Sequence, residues 1–184
     1  MTSAVSATSK TARLILDDKE VELPLVVGSE GEVGIDISTL RNTTGAITLD
    51  EAYVNTGSTR SAITFLDGEE GVLRYRGYPI ETLAQHCDFL ETAYLLMYGE
   101  LPTREQADRF REAIRHHTML HEDMKLFYNG FPRDAHPMGI LSSVVGALST
   151  FYQDSLDVDD PDQVEISTHR LLAKLPTIAA YSHK

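Results

Sequence analysis

The periodicity of this chain changes once, and that change constrains the fold more than any other feature. Up to about residue 76, short β-rich runs alternate with turn signals. Ala12–Leu16 and Val21–Val27 are separated by Asp17-Asp18-Lys19, which predicts a hairpin. Pro24 predicts that the second run lies at a sheet edge, because proline cannot donate to a ladder. Ser61–Leu66 and Gly71–Tyr75 flank Asp67-Gly68-Glu69-Glu70, a second hairpin signal. Arg41–Gly45 and Asn55–Ser58 read as loops. From about Pro79 onward the apolar spacing is helical. The fold class that follows is mainly α: a small N-terminal β domain, then a larger helical domain.

The helical part is well punctuated. Asp88 suits the N-cap of a helix through Tyr98 that Gly99 stops. Thr103 and Gln106 have capping-box spacing, so the next helix starts at Arg104 and buries Ala107, Phe110, Ala113 and Ile114. A short helix around Met124–Tyr128 ends near Gly130 and Pro132, and Pro137 suits the first turn of another. In that helix Met138, Ile140, Leu141, Val144, Val145, Leu148 and Phe151 cover more than one face. Small residues, among them Gly139, Ser142, Ser143 and Gly146, lie between them. Such a helix is expected to be buried on most sides, at a subunit interface, against a further half-domain or as a central core helix. After the acidic stretch Asp154–Asp162, Val164–Lys174 reads as a helix that Pro176 bends or restarts. Thr177–Lys184 is still helical in pattern, so the large domain is expected to be incomplete at the C-terminus. The divisions are a polar tail at 1–10, expected to be disordered, a β domain at 11–60, and the first part of the helical domain at 61–184.

Charge and cysteine usage narrow the function classes. Against 28 acidic residues stand 16 Lys and Arg, a net charge of -12, so a nucleic-acid or anionic-membrane surface is not expected. No apolar run reaches the about 18 residues of a membrane span, and the first ten residues do not resemble a signal peptide. Cys87 is the single cysteine, which fits a reducing, cytoplasmic location.

Chemistry-bearing residues gather late in the chain. His117 and His121 are four apart and would share a face on a continuous helix, as metal ligands do. No cysteine is near, and Thr118 stands where H-E-x-x-H has its glutamate, so helix-end hydrogen bonding is the better account and no metal is expected. Asp134 and His136 precede Pro137 and read as turn and cap. Asp67-Gly68-Glu69-Glu70-Gly71 is too acidic to cradle phosphate. Arg170 and Lys174 share a helix face, either as a solvated pair or as an anion pocket.

Five blocks together carry a resemblance to a known family. They are Ile63–Ile80 (ITFLDGEEGVLRYRGYPI), Arg115–Glu122, Phe131–Met138, Phe151–Ser155 and Arg170–Thr177. In that order they resemble citrate synthase of the bacterial type with an N-terminal β domain. The resemblance runs from about residue 11 to Lys184. It implies condensation of acetyl-CoA with oxaloacetate and water to citrate and CoA, with no cofactor, since acetyl-CoA is a substrate. It implies an aspartate base and two histidines acting by general acid–base and electrostatic catalysis, all in later family segments. No residue here matches them, so no catalytic residue is assigned and the 184-residue segment by itself is expected to be inactive. The resemblance further implies a homodimer, often a hexamer, with the helix from Pro137 to Phe151 in the interface. It places an inhibitory NADH site, in some members, at His116, His117, Thr118, Met119, Tyr152, Arg170 and Lys174. His116 departs from the NADH-sensitive pattern, which has arginine there, so weak or absent NADH inhibition is expected. Two alternatives stay open. 2-Methylcitrate synthase shares the fold but often lacks the β domain, and a non-catalytic assembly or effector-binding module would need no chemistry.

Overall fold

The computed structural model describes residues 7–183. Two compact units emerge, one through His86 and one from Cys87 onward. The chain is mainly α, with seven α-helices and two small antiparallel sheets among the described residues.

In the first unit, β1 (Ala7–Leu16), β2 (Lys19–Val27) and β3 (Val33–Ile35) form a sheet in that order. Leu16 pairs with Lys19 across the two-residue turn, where Asp17 takes φ 50°. The alternation of the sequence is kept: Val21 and Leu23 are buried, with Leu14 and Leu16 packed against them from β1. β1 begins at Ala7, inside the stretch read as a tail, and Ala7 pairs with Val26 across an irregularity before Thr11. The rest of the tail reading, residues 1–6, lies outside the described residues.

Two readings in this unit are corrected. Pro24 is in the central strand, not at an edge. The ladder between β2 and β3 covers only Leu25–Val27, and the Pro24 carbonyl accepts from the Asp36 N–H at 2.8 Å just beyond it. A residue's N–H and C=O point to the same side of a strand. The missing donor therefore falls at the end of the short ladder, where no partner is needed. Arg41–Gly45 is not a loop. Leu40–Thr44 is a helix (α1) that buries Leu40 against β2 and ends on Gly45 at φ 80°.

The second hairpin joins β4 (Thr64–Asp67) to β5 (Val72–Tyr75). Asp67 Oδ1 accepts the N–H groups of Glu69 and Glu70, both at 3.0 Å, so these turn amides are already occupied. A tight turn follows at Arg76 (φ 51°) and Gly77 (φ 89°), leading to β6 (Tyr78–Pro79). Left-handed values at both central positions suit the right-handed twist of the flanking strands. Helix α2 (Ile80–His86) packs on this hairpin and buries Leu83.

The second unit holds α3 (Phe89–Tyr98), α4 (Arg104–His116), α5 (Glu122–Phe127), α6 (Pro137–Phe151) and α7 (Pro161–Ser182). α3 starts on a full capping box between Asp88 and Glu91 and stops on Gly99 at φ 92°. α4 starts on the Thr103–Gln106 box and buries Ala107, Phe110 and Ile114. Such caps contribute about 1 kcal/mol each. One core cluster joins Leu120, Met124, Tyr128, Ile140, Val144, Leu148 and Ile178, and another joins Phe110, Ile114 and Ala173.

One helix differs from expectation. α7 starts at Pro161 on an Asp160 cap and runs unbroken through Pro176. An interior proline costs about 3 kcal/mol. That cost is offset because the helix on both sides of Pro176 is packed, burying Ala173, Lys174, Ile178 and Ser182. α6 buries only one face within this chain, through Ile140, Val144 and Leu148. Met138, Gly139, Ser142, Ser143 and Gly146 are exposed.

Candidate functional site

The site lies where the C-terminal end of α4 meets α7. A helix leaves its last four carbonyls without intrahelical donors, and glycine is the usual local remedy. No glycine follows α4. His117 takes φ -104°, ψ 6° and its N–H bonds to Ile114 O. Thr118 Oγ1 turns back to donate to Arg115 O at 3.0 Å.

The carbonyls of the next three residues are satisfied from α7. Lys174 Nζ donates to His117 O at 2.7 Å and to Met119 O at 2.5 Å. Thr177 Oγ1 donates to Thr118 O at 3.1 Å. Because α7 is unbroken, Arg170, Lys174 and Thr177 fall four and three residues apart on one face. Lys174 is 2% exposed, so its charge sits among carbonyl dipoles and out of solvent. It also stands at the negative end of the α4 dipole, where a cation is favoured.

Tyr152 is the C-cap residue of α6, and its ring meets two cations. Arg170 Cζ is 4.6 Å and Lys174 Nζ 5.0 Å from its ring centroid, within cation–π range. Asp154, in the following turn, binds Arg170 in a fork: Nη1 at 2.7 Å and Nη2 at 2.8 Å. Ser155 Oγ accepts from the same Nη1 at 2.9 Å. This hydrogen bonding raises the pKa of Arg170 and lowers that of Asp154. Arg170 Nε is buried and has no hydrogen-bond partner among the described residues.

The histidines have separate surroundings. His116 points to the surface, its Nε2 2.8 Å from Glu112 Oε1. His117 is half-buried, and its pKa is lowered by burial first, then by Arg170, Lys174, His169 and His116. His121 caps α5, its Nδ1 accepting the Asp123 N–H at 3.2 Å, and His136 caps α6 in the same way through Met138. The segment from His117 to His121 is not helical, so no shared face aligns those two rings. Among the described residues no cluster of His, Cys, Asp or Glu could hold a metal.

His117, Tyr152, Arg170 and Lys174 are thus brought together. Thr118 and Met119 contribute through their backbone carbonyls, the Met119 side chain being exposed, and His116 pairs outward with Glu112. An anion arriving here would compete with Asp154 for Arg170 and with two carbonyls for Lys174. Thr177 completes the arrangement and was missed, because a bend expected at Pro176 would have taken it off the face of Lys174. The spacing of seven residues from Arg170 to Thr177 was the available signal.

Comparison with known proteins agrees with this fold. The family model described as "Citrate synthase, C-terminal domain" matches residues 52–184. Citrate synthase 1 of Mycobacterium tuberculosis is 54% identical over 96% of the chain, and citrate synthase of Corynebacterium glutamicum 48% identical over 98%. The chain spans 41% of the length of each of these relatives. The crystal structure of citrate synthase from Thermotoga maritima superposes with a TM-score of 0.61 at 28% identity, covering 74% of this chain and 34% of that one. The chain belongs to the citrate synthase family.

Proposed function

We propose that this chain is the N-terminal portion of a citrate synthase, which condenses acetyl-CoA with oxaloacetate and water. The observation that carries the reading is the 54% identity to a curated citrate synthase along 96% of the chain. Residues 11–60 serve as the small β domain and residues 61–184 as the first part of the helical domain. No catalytic residue is assigned within the segment, which acts as scaffold. The enzyme needs no cofactor, and we place it in the cytoplasm. Among the described residues no helix is long and apolar enough to cross a membrane.

The exposed face of α6 supports a role in a homodimer. Ser143, Ser149 and Thr150 donate their hydroxyls to carbonyls of their own helix, at 2.9, 3.0 and 2.7 Å. That leaves a surface of small, hydrogen-bonded residues which a second helix can approach closely. For the candidate NADH site we propose weak or absent inhibition, because Asp154 and the carbonyls already occupy Arg170 and Lys174.

The test is CoA release by the full-length protein with oxaloacetate, acetyl-CoA and propionyl-CoA competing. Preference for acetyl-CoA, and no turnover by the 184-residue segment alone, is the expected result. Preference for propionyl-CoA would overturn the reading in favour of a 2-methylcitrate synthase. Strong NADH inhibition at neutral pH would overturn the effector proposal.

A further inference from the structure

The Lys174 ammonium lies on the His117 carbonyl at 2.7 Å, and Arg170 stands one turn earlier on the same face of α7. Burial comes first and these cations next among the causes that disfavour a charge on the half-buried His117 ring. The nearby acids are engaged elsewhere. Asp154 holds Arg170, Glu112 holds Arg115 and His116, and Glu165 lies 3.9 Å from His169 and accepts from Tyr98 Oη at 2.7 Å. Among the described residues no carboxylate and no hydrogen bond reaches the His117 imidazole. Its own carbonyl is one of the two that hold the Lys174 ammonium. A positive imidazole would therefore stand beside Arg170 and Lys174 with no counter-charge, at the point where α7 grips the α4–α5 connection.

We propose that this clamp is an acid-sensitive latch triggered by His117. With the ring neutral, Lys174 and Thr177 hold residues 117–119 against α7. With the ring charged, repulsion from Arg170 and Lys174 loosens that grip and frees the connection to α5. The direction of the shift agrees. Burial and the neighbouring cations hold the His117 pKa below its ordinary value. The opened state therefore takes up more protons than the closed one. The latch is fully closed above the ordinary histidine value and weakens as pH falls through it toward the depressed value. This goes beyond the proposed enzymatic activity and does not depend on it.

The experiment is hydrogen–deuterium exchange on the full-length protein between about pH 7.5 and about pH 5.5, where histidine titrates. Exchange at the imidazole C2–H, read by mass spectrometry, gives the titration of His117. Amide exchange, corrected for its intrinsic pH dependence, gives protection of residues 117–124. The expected result is a His117 midpoint below that of an ordinary histidine, with amide protection lost through that same midpoint. His117→Asn, which cannot titrate, is expected to keep its protection across the range. His121→Asn keeps a cap acceptor on α5 without titrating, and is expected to lose protection as the parent does. An ordinary or raised His117 midpoint would overturn the proposal, as would equal loss of protection in His117→Asn. Should that variant misfold, the two wild-type titrations decide, and their failure to coincide overturns it.

Discussion

The start of α4 and the connection that follows its end satisfy their backbone groups by opposite means. At the start, Thr103 and Gln106 satisfy each other's backbone donors from within one turn. In the connection, the carbonyls of His117, Thr118 and Met119 take donors 55 to 59 residues further along the chain. A turn closed by its own neighbours forms wherever the helix forms. A connection held from a distance exists only once α7 has docked. The difference makes the start robust and local, and the connection conditional, hence a place where a change of charge can act.

The largest test of this contrast is Lys174→Met, which keeps an apolar stem and removes the ammonium. Two carbonyls lose a charged donor, so stability should fall by about 2–4 kcal/mol in urea unfolding. Amide exchange should speed up in residues 117–124 and around Lys174. The contrast is wrong if the loss instead falls evenly along α4. Thr103→Ala should cost about 1 kcal/mol and fray only the first turn of α4. Thr177→Val should cost about the same, through one lost hydrogen bond, but at the far end of that helix. A smaller effect is expected from pH. His117 is depressed in the fold, so its contribution is fully present above about 6.5 and lost as pH falls below that, and His117→Asn should flatten this part of the stability profile. The least effect should come from Arg111→Ala. Arg111 bridges Asp88 at 2.8 Å and Glu91 at 3.0 Å, but both pairs remain partly open to solvent, which screens them, and thermal unfolding should barely move.

Legibility followed the same division. The caps at Asp88 and Thr103, the stop at Gly99, Pro137 in the first turn of α6 and both hairpin turns were readable because each signal lies within a few residues of what it controls. Proline alone argues for a sheet edge at Pro24 and for a bend at Pro176. The register of β3 made the first harmless, and packing on both sides of Pro176 held the second in a continuous helix. Of the candidate site, Arg170 and Lys174 were visible as a pair four residues apart. The family resemblance groups Tyr152 and residues 116–119 with them, but the fork from Asp154 and the use of the backbone carbonyls of residues 117–119 were not legible, because these groups lie on other elements.

The change from β to α character, the starts of α3, α4 and α6, and the family were legible in the sequence, because these rest on local spacing and on blocks of residues in order. The burial of Lys174 among carbonyls, the hold of Asp154 on Arg170 and, among the described residues, the lack of a carboxylate at the His117 ring arise only in the folded chain. So does the burial of α6 on one face within this chain. The physical reason is range. Caps and turns are satisfied by neighbours along the chain, whereas the burial and pairing of a charge depend on which distant groups the fold brings within a few ångströms.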